Sequence, residues 1–273
     1  MIPACDAQAT LGRAVRSLLA QTWPHWEAIV VADDLFDYRA LLAAEGVADA
    51  RVRHVATGRR RSGCHRARNV GLAAARGELI GALDADDLLR PAHLAILAPL
   101  ALRYGAAADN LALVREADGA MLYRVLGDAT VPTGIDLAGL LALTAPLVPL
   151  VRRDHAMPRA AGVEYAEDVI FNMQLIGRLG RLHVVPETLY EYRVAHGSIA
   201  HGDGAAAAFD AAYADYVARL LAGDGFGLPA GLRAQAAKGL AAKRALNAAF
   251  GAALPADPAL NFQTFVTARR AAA

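Results

Sequence analysis

Residues 1 to about 105 alternate short apolar runs with stretches of helical period. The opening "MIPACDAQAT" supplies at most the last residues of a strand, then a loop. In "TLGRAVRSLLAQ", Leu11, Ala14, Leu18 and Leu19 recur at helical spacing, with Thr10 placed as the N-cap. "WEAIVVADD" is an apolar, β-branched run without alternation, the pattern of a strand buried on both faces. "YRALLAAEG" predicts a helix stopping at Gly46, and "ARVRHVAT" alternates as a strand. "GCHRARNVGLAAARGE" predicts a helix after a basic loop, and "LIGAL" a buried strand ending at Asp84. "PAHLAILAPLALRYG" predicts a further helix with Pro91 at its first position. Strand and helix in alternation, joined by short connections, imply an α/β fold with a mostly parallel sheet flanked by helices.

The middle of the chain is more mixed. "LALVREA", "GAMLYRVL" and "APLVPLVRR" read as strands, "AEDVIFNMQLIGRLG" as an amphipathic helix ending at Gly180, and "LHVVPETLYEYRV" as extended. After about residue 203 the pattern changes to Ala-rich helices with Leu, Phe and Tyr on one face, broken near Pro229 and Pro255. Residues 1–105 and 106–202 therefore read as two halves of one domain, and 203–273 as a helical appendage.

Bulk composition narrows the function. The 273 residues are 56% hydrophobic and 20% charged, with 28 basic against 27 acidic side chains. A net charge of +1 supplies no general field for nucleic acid, so no nucleic-acid partner is expected, and anion binding would need a local cluster. Cys5 and Cys64 fit no metal-ligand spacing and read as free thiols of a reducing compartment. No run approaches the ~20 apolar residues of a spanning helix, and no signal peptide opens the chain. The expected location is cytoplasmic.

Against this background the acidic clusters stand out. In "ELIGALDADDLLRP", Asp84 and Asp86 would face the same way if extended geometry persisted. Ligands of open α/β sheets sit beyond the carboxyl ends of the strands. Carboxylates crowded there repel one another unless a counter-charge intervenes, and Mg²⁺ is commonly held by one or two carboxylates plus substrate phosphates. The plainer alternative is a solvated turn capping the next helix. Asp33 and Asp34 end the earlier strand and could accept from a nucleobase or ribose, or simply meet solvent. Arg59, Arg60, Arg61, Arg66 and Arg68 cluster around a helix start; Arg68, next to Asn69, stands apart from the exposed run. Glu167 and Asp168 fall in a first helical turn, where they either complement the dipole or provide a general base. His196 lies on a loop with Arg193 and Ser198 and gains interest only beside a metal.

Taken together, these segments resemble the family 2 glycosyltransferases of the GT-A fold. "IPACDAQATLGRAVRSLLAQTWPHWEAIVVADD" is similar to that family's opening, "ARNVGLAAARGELIGALDADD" to its ARN helix and DXD strand, "AEDVIFNMQL" to its ED segment, and "LYEYRVAHGS" to its YR-x-H-type segment. The likeness covers about residues 1–200. It implies inverting transfer of a sugar from a nucleotide-diphosphate donor, a UDP-sugar being expected, to a saccharide or lipid-linked acceptor in polysaccharide synthesis. It assigns Pro3, Ala4, Asp33, Arg68, Asp84, Ala85 and Asp86 to the donor, and Asp86 with His196 to a Mn²⁺ or Mg²⁺ ion. Asp168 becomes the catalytic base, Glu167 supports acceptor or base, and Asp87 supports the turn or caps a helix. The chain departs from the pattern at Cys5, where a Tyr is usual, at Asp6 for Asn, and in "DDLFD" for "DDGST". A non-catalytic GT-A-like assembly protein remains the alternative. A phosphotransferase DxDx[TV] site is disfavoured by Leu88. A peripheral membrane contact and a homodimer are both compatible with the C-terminal helices.

Overall fold

In the computed structural model, which describes residues 1–128, 130–195, 204–255 and 262–271, the N-terminal alternation becomes a parallel sheet. Strands β1 (Ile2–Ala4), β2 (Ala28–Ala32) and β3 (Val52–Ala56) pair in that order, with Ile2 opposite Val30 and Val30 opposite His54. Ala28, Ile29, Val30 and Val31 are all buried, which is why β2 reads as a continuous apolar run. Helix α1 (Leu11–Leu19) buries Leu11, Ala14, Val15 and Leu18. Thr10 occupies its N-cap position, but its side chain makes no capping hydrogen bond. Asp37 does cap α2 (Tyr38–Ala44), accepting from the amides of Arg39 and Ala40. Helix α3 (Cys64–Ala74) packs on β1 and β2.

The predicted "LIGAL" strand is shorter than expected: β4 comprises Leu79–Ile80. Beyond Ile80 the chain leaves regular pairing but stays beside β1, through Met1 N to Gly81 O (2.9 Å) and Leu83 N to Met1 O (3.1 Å). Residues 85–86 then turn, and Asp87 N donates to Asp84 O at 3.0 Å. Extended geometry therefore ends before Asp86, and alternation along a strand does not align the two carboxylates. Strand β5 (Leu88–Leu89) follows, then α4 (His93–Tyr104), whose N-cap is Ala92. Pro91 accordingly lies before the cap, not at the first helical position.

Two further sheets complete the core. One has the order β4-β10-β6-β11-β9, with β6 (Ala106–Asp109), β9 (Gly134–Ile135), β10 (Leu150–Arg152) and β11 (Leu182–Val185). The other runs β5-β12-β7-β8, with β7 (Ala112–Arg115), β8 (Met121–Arg124) and β12 (Tyr190–Val194). The first sheet is wholly parallel and these two are mixed. Alanines give little strand signal, yet Ala106, Ala107 and Ala108 are fully buried between β10 and β11. "APLVPLVRR" is a strand only over its last part, because Pro146 and Pro149 lack the amide a ladder needs. Arg193 lies in β12, not in a loop.

Helix α5 (Leu137–Ala142), unanticipated in the sequence, is capped by Asp136, and α6 (Glu167–Leu179) packs against it. The C-terminal helices α7 (Ala205–Ala222) and α8 (Ala230–Ala253) pair, and α8 also packs on α5 and on α9 (Phe262–Ala271). One apolar cluster runs from Ile2 through Leu113 and Ile170 to Tyr216 and Leu240. Among the described residues no helix is long and apolar enough to cross a membrane.

Candidate active site

A cavity of about 1000 Å³ opens at the carboxyl ends of β1 and β2 and beside the 84–87 turn. The residues that the resemblance assigns to donor, ion and base, so far as they fall among the described residues, line it, whereas Asp34, Arg59, Arg60 and Arg66 do not. Pro3, Ala4 and Asp33 come from the strand ends, Arg68 from α3, Asp84, Ala85 and Asp86 from the turn, and Glu167 and Asp168 from α6. His196 lies outside the described residues.

Asp33 is buried and heavily engaged. Its Oδ1 accepts from Thr57 Oγ1 (2.6 Å) and Ser62 Oγ (2.5 Å), and its Oδ2 from Gly63 N (3.0 Å). Of roughly four acceptor positions on a carboxylate, about one remains. Asp33 thus shapes the basic loop as well as facing the cavity. Asp34 takes a different role: it accepts from Asp6 N (2.7 Å), Tyr38 Oη (2.6 Å) and Phe36 N (3.1 Å). Burial works to raise its pKa, but those donors outweigh it and hold the carboxyl below its usual range.

Arg68 sits inside α3 and reaches across to two carboxylates. Its Nη2 contacts Asp84 Oδ1 at 2.5 Å, and its Nη1 pairs with Glu167. Arg159 Nε pairs with the other oxygen of Glu167 at 2.7 Å, and its guanidinium stacks on Phe171 at 3.4 Å. Glu167 is 5% exposed. Its carboxylate is therefore held between two arginines. Asn69 fixes the second of them through the backbone: Arg159 N donates to Asn69 Oδ1 (2.6 Å), and Asn69 Nδ2 donates to Arg159 O (3.1 Å). Burial, reinforced by Arg68, lowers Arg159 to about 9. No sequence signal singled out Arg159.

The acidic turn divides into three. Asp84 is paired with Arg68. Asp87 is buried, accepts from Tyr190 Oη and Arg193 N at 2.7 Å each, and so ties the turn to β12. It caps no helix. Burial, then repulsion from Asp86 and Asp84, raises its pKa well above the ordinary value. Asp86 has no side-chain partner among the described residues beyond its own backbone amide; burial and then Asp84 push it up to about 6. Its carbonyl accepts from Arg13 Nη2 at 2.9 Å, and Arg13 Nη1 meets Glu116 at 2.5 Å. Glu116 also receives Arg193 Nε at 2.9 Å. Arg13 and Glu116 brace the turn, and nothing in the sequence had marked them.

A desolvated, uncompensated carboxylate is a fitting ligand for a hard cation. The group of metal-capable side chains among the described residues is Cys5, Asp6 and Asp34, of which Cys5 and Asp6 line the same cavity. There Asp6 is already paired with Arg61 (2.5 Å) and Asp34 with Tyr38. A cation at Asp86 would need further oxygen ligands besides this one carboxylate.

Asp168 lines the same cavity, and its side chain makes no hydrogen bond or ion pair with a described residue. Ala166, which precedes the helix, holds φ +51, a left-handed conformation that costs a non-glycine residue about 1–2 kcal/mol. Asp6 (φ +52) and Arg61 (φ +52) are strained in the same way and also line the cavity. Such strain clusters where surrounding structure over-determines a site.

The α/β sheets, the flanking helices and the carboxylate-bearing crevice define the GT-A class of fold. Residues 1–126 match the family described as Glycosyl transferase family 2, a segment that holds Asp33, Arg68, Asp84 and Asp86 and ends before Asp168. The chain is 32% identical over 222 residues to Succinoglycan biosynthesis protein ExoO of Rhizobium meliloti (strain 1021), across 73% of this chain and 61% of that protein. It is 33% identical over 88 residues to UDP-Glc:alpha-D-GlcNAc-diphosphoundecaprenol beta-1,3-glucosyltransferase WfgD of Escherichia coli, across 32% of this chain and 34% of that one. The chain thus spans less than two thirds of the length of these curated relatives. Among solved structures, S. aureus TarS 1-349 in complex with UDP-GlcNAc superposes with a TM-score of 0.62 at 17% identity, over 79% of this chain and 65% of that chain. That likeness is one of fold.

Proposed function

We propose that the protein transfers a sugar from a nucleotide-diphosphate donor, a UDP-sugar, to a hydroxyl of a saccharide or lipid-linked acceptor, with inversion. One observation carries the reading: two carboxylates without partners among the described residues, Asp86 and Asp168, line one cavity beside a fixed arginine–carboxylate array. The names of the relatives support the chemistry, since WfgD is named for UDP-Glc and TarS was solved with UDP-GlcNAc.

In this reading Asp86 would hold a Mn²⁺ or Mg²⁺ ion, with His196 a second candidate ligand, and the ion when bound would supply charge stabilisation to the departing diphosphate. Asp168 accepts the proton of the acceptor hydroxyl. The oxygen then bonds to the anomeric carbon from the face opposite the diphosphate. The bond from that carbon to the diphosphate breaks, and its electron pair leaves with the nucleotide. A single displacement inverts the centre. Arg68 and Arg159 hold Glu167, so Glu167 orients the first turn of α6 that carries Asp168. The protein would work in the cytoplasm and meet a lipid-linked acceptor at the inner face of the membrane.

The test is UDP binding by thermal shift with and without Mn²⁺. UDP should raise the unfolding midpoint, more strongly with the ion, and Asp86→Ala should remove the ion's increment. No response to millimolar UDP in either condition would sink the reading.

A further inference from the structure

The C-terminal helices lie outside the segment that matches the family, yet they form one wall of the same cavity. Phe209 and Tyr213 enter from α7, Lys243 and Phe250 from α8, and Phe262 from α9. Tyr165, three residues before Asp168, meets Phe209 edge-on at 5.2 Å, and Tyr216 Oη donates to Tyr165 O at 2.9 Å. Helix α7 is thus fastened to the segment that leads into the candidate base. Phe250 and Phe262 meet edge-on at 5.5 Å.

Two polar groups stand in this apolar wall. Asn172 lies one helical turn after Asp168, on the same face of α6. It is 1% exposed; its Nδ2 donates to Leu147 O at 2.8 Å, and its Oδ1 lacks a partner among the described residues. A buried acceptor left without a donor costs about 1–3 kcal/mol. Lys243 is the second. Its Nζ donates to Leu143 O, and it forms no ion pair with a described residue. Burial lowers it to about 8, and the charge of Asp168 partly restores it.

We propose that this end of the cavity, walled by α7, α8 and α9, is an acceptor subsite for a neutral saccharide, with Lys243 Nζ donating to one of its oxygens. The inference rests on the transferase reading for its place in the reaction. Aromatic faces match the C–H face of a pyranose, and a few polar groups in a mostly apolar pocket fix orientation. Neutrality follows from charge. Among the described lining residues of α7, α8 and α9, Lys243 is the one cation, and Asp168, whose charge reaches it, would repel a phosphate or carboxylate.

Saturation-transfer NMR tests this without turnover. The probes are the p-nitrophenyl β-glucoside, β-galactoside, β-N-acetylglucosaminide and β-glucuronide, with UDP affinity measured on the same samples. At least one neutral glycoside should bind. Its Kd should rise at least fivefold in Lys243→Met and in Phe209→Leu, with UDP affinity within twofold of the parent. Lys243→Arg should bind more tightly than Lys243→Met. The inference is overturned if no neutral glycoside binds, if the glucuronide binds best, or if the folded variants bind like the parent. Failure of UDP to bind would instead strike the transferase reading and leave the glycoside result to be judged by itself.

Discussion

Of the nine carboxylates among the described residues that line the cavity, six belong to the end of β2, the acidic turn and the first turn of α6, and their partners, not their spacing, separate them. Asp33 organises a loop, Asp87 secures a strand, and Asp84 and Glu167 neutralise buried arginines. Asp86 and Asp168 are left for chemistry. Asp168→Asn keeps the shape but cannot take a proton. Transfer should fall by about 10²–10⁴-fold, the usual contribution of a general base, with UDP affinity unchanged within a few fold. Radiolabelled sugar transfer and calorimetry separate the two quantities; normal turnover would place the base elsewhere. Asp86 makes a prediction about pH. Its pKa is raised to about 6, so it is protonated below that value and must lose the proton to ligate a cation. The Mn²⁺-dependent part of UDP affinity should therefore hold above pH 6 and weaken about tenfold per unit below it. Calorimetry between pH 7.5 and 5 reads the trend, and a flat profile would remove Asp86 from the ion site.

At the scale of elements, close approach decides where α8 lies. A Cβ on Gly239 would stand 2.6 Å from Leu141 Cδ1 and 2.8 Å from Leu141 Cβ, so glycine lets α8 settle on α5. Lys243 follows one turn later on the same face. Gly239→Ala gains helix propensity of about 1 kcal/mol, but overpacking of this kind costs about 1–3 kcal/mol. The expected result is lower stability in urea and weaker glycoside binding. Gly231, in the same helix, has nothing within 4 Å of its would-be Cβ. Gly231→Ala should stabilise by about 0.5–1 kcal/mol. If both substitutions stabilise equally, α8 does not press on α5. The sequence marked α8 as a packing helix from its Ala-rich face. It did not mark its partner: α5 has six residues, too few to show a period clearly.

At the scale of the molecule, one apolar cluster joins the first strand to the C-terminal helices, with Ile2, Ile170, Tyr216 and Leu240 as members. A shared core predicts shared unfolding. Both tryptophans, Trp23 and Trp26, lie in the N-terminal half, whereas α7 and α8 supply much of the helix signal. Trp fluorescence and far-ultraviolet circular dichroism should report the same midpoint in urea. Separate midpoints would mean that the C-terminal helices open independently of the donor side.

The sequence by itself determined the α/β class, the order of strands and helices over the first hundred residues, and the segments that carry the acidic and basic candidates. These are local properties: periodicity, run length and residue type are written along the chain. It also marked Asp33, Arg68, Asp84, Asp86 and Asp168 through a pattern of neighbouring residues. Only the tertiary structure decided what each group touches. Arg159, Arg13 and Glu116 belong to the site through contacts made across 8 to 103 positions of chain, for which no local pattern exists. The wall of α7, α8 and α9 is of the same kind. Its residues were legible as packing residues, but that they face Asp168 depends on how α8 meets α5, and burial and charge pairing become defined only when distant segments meet.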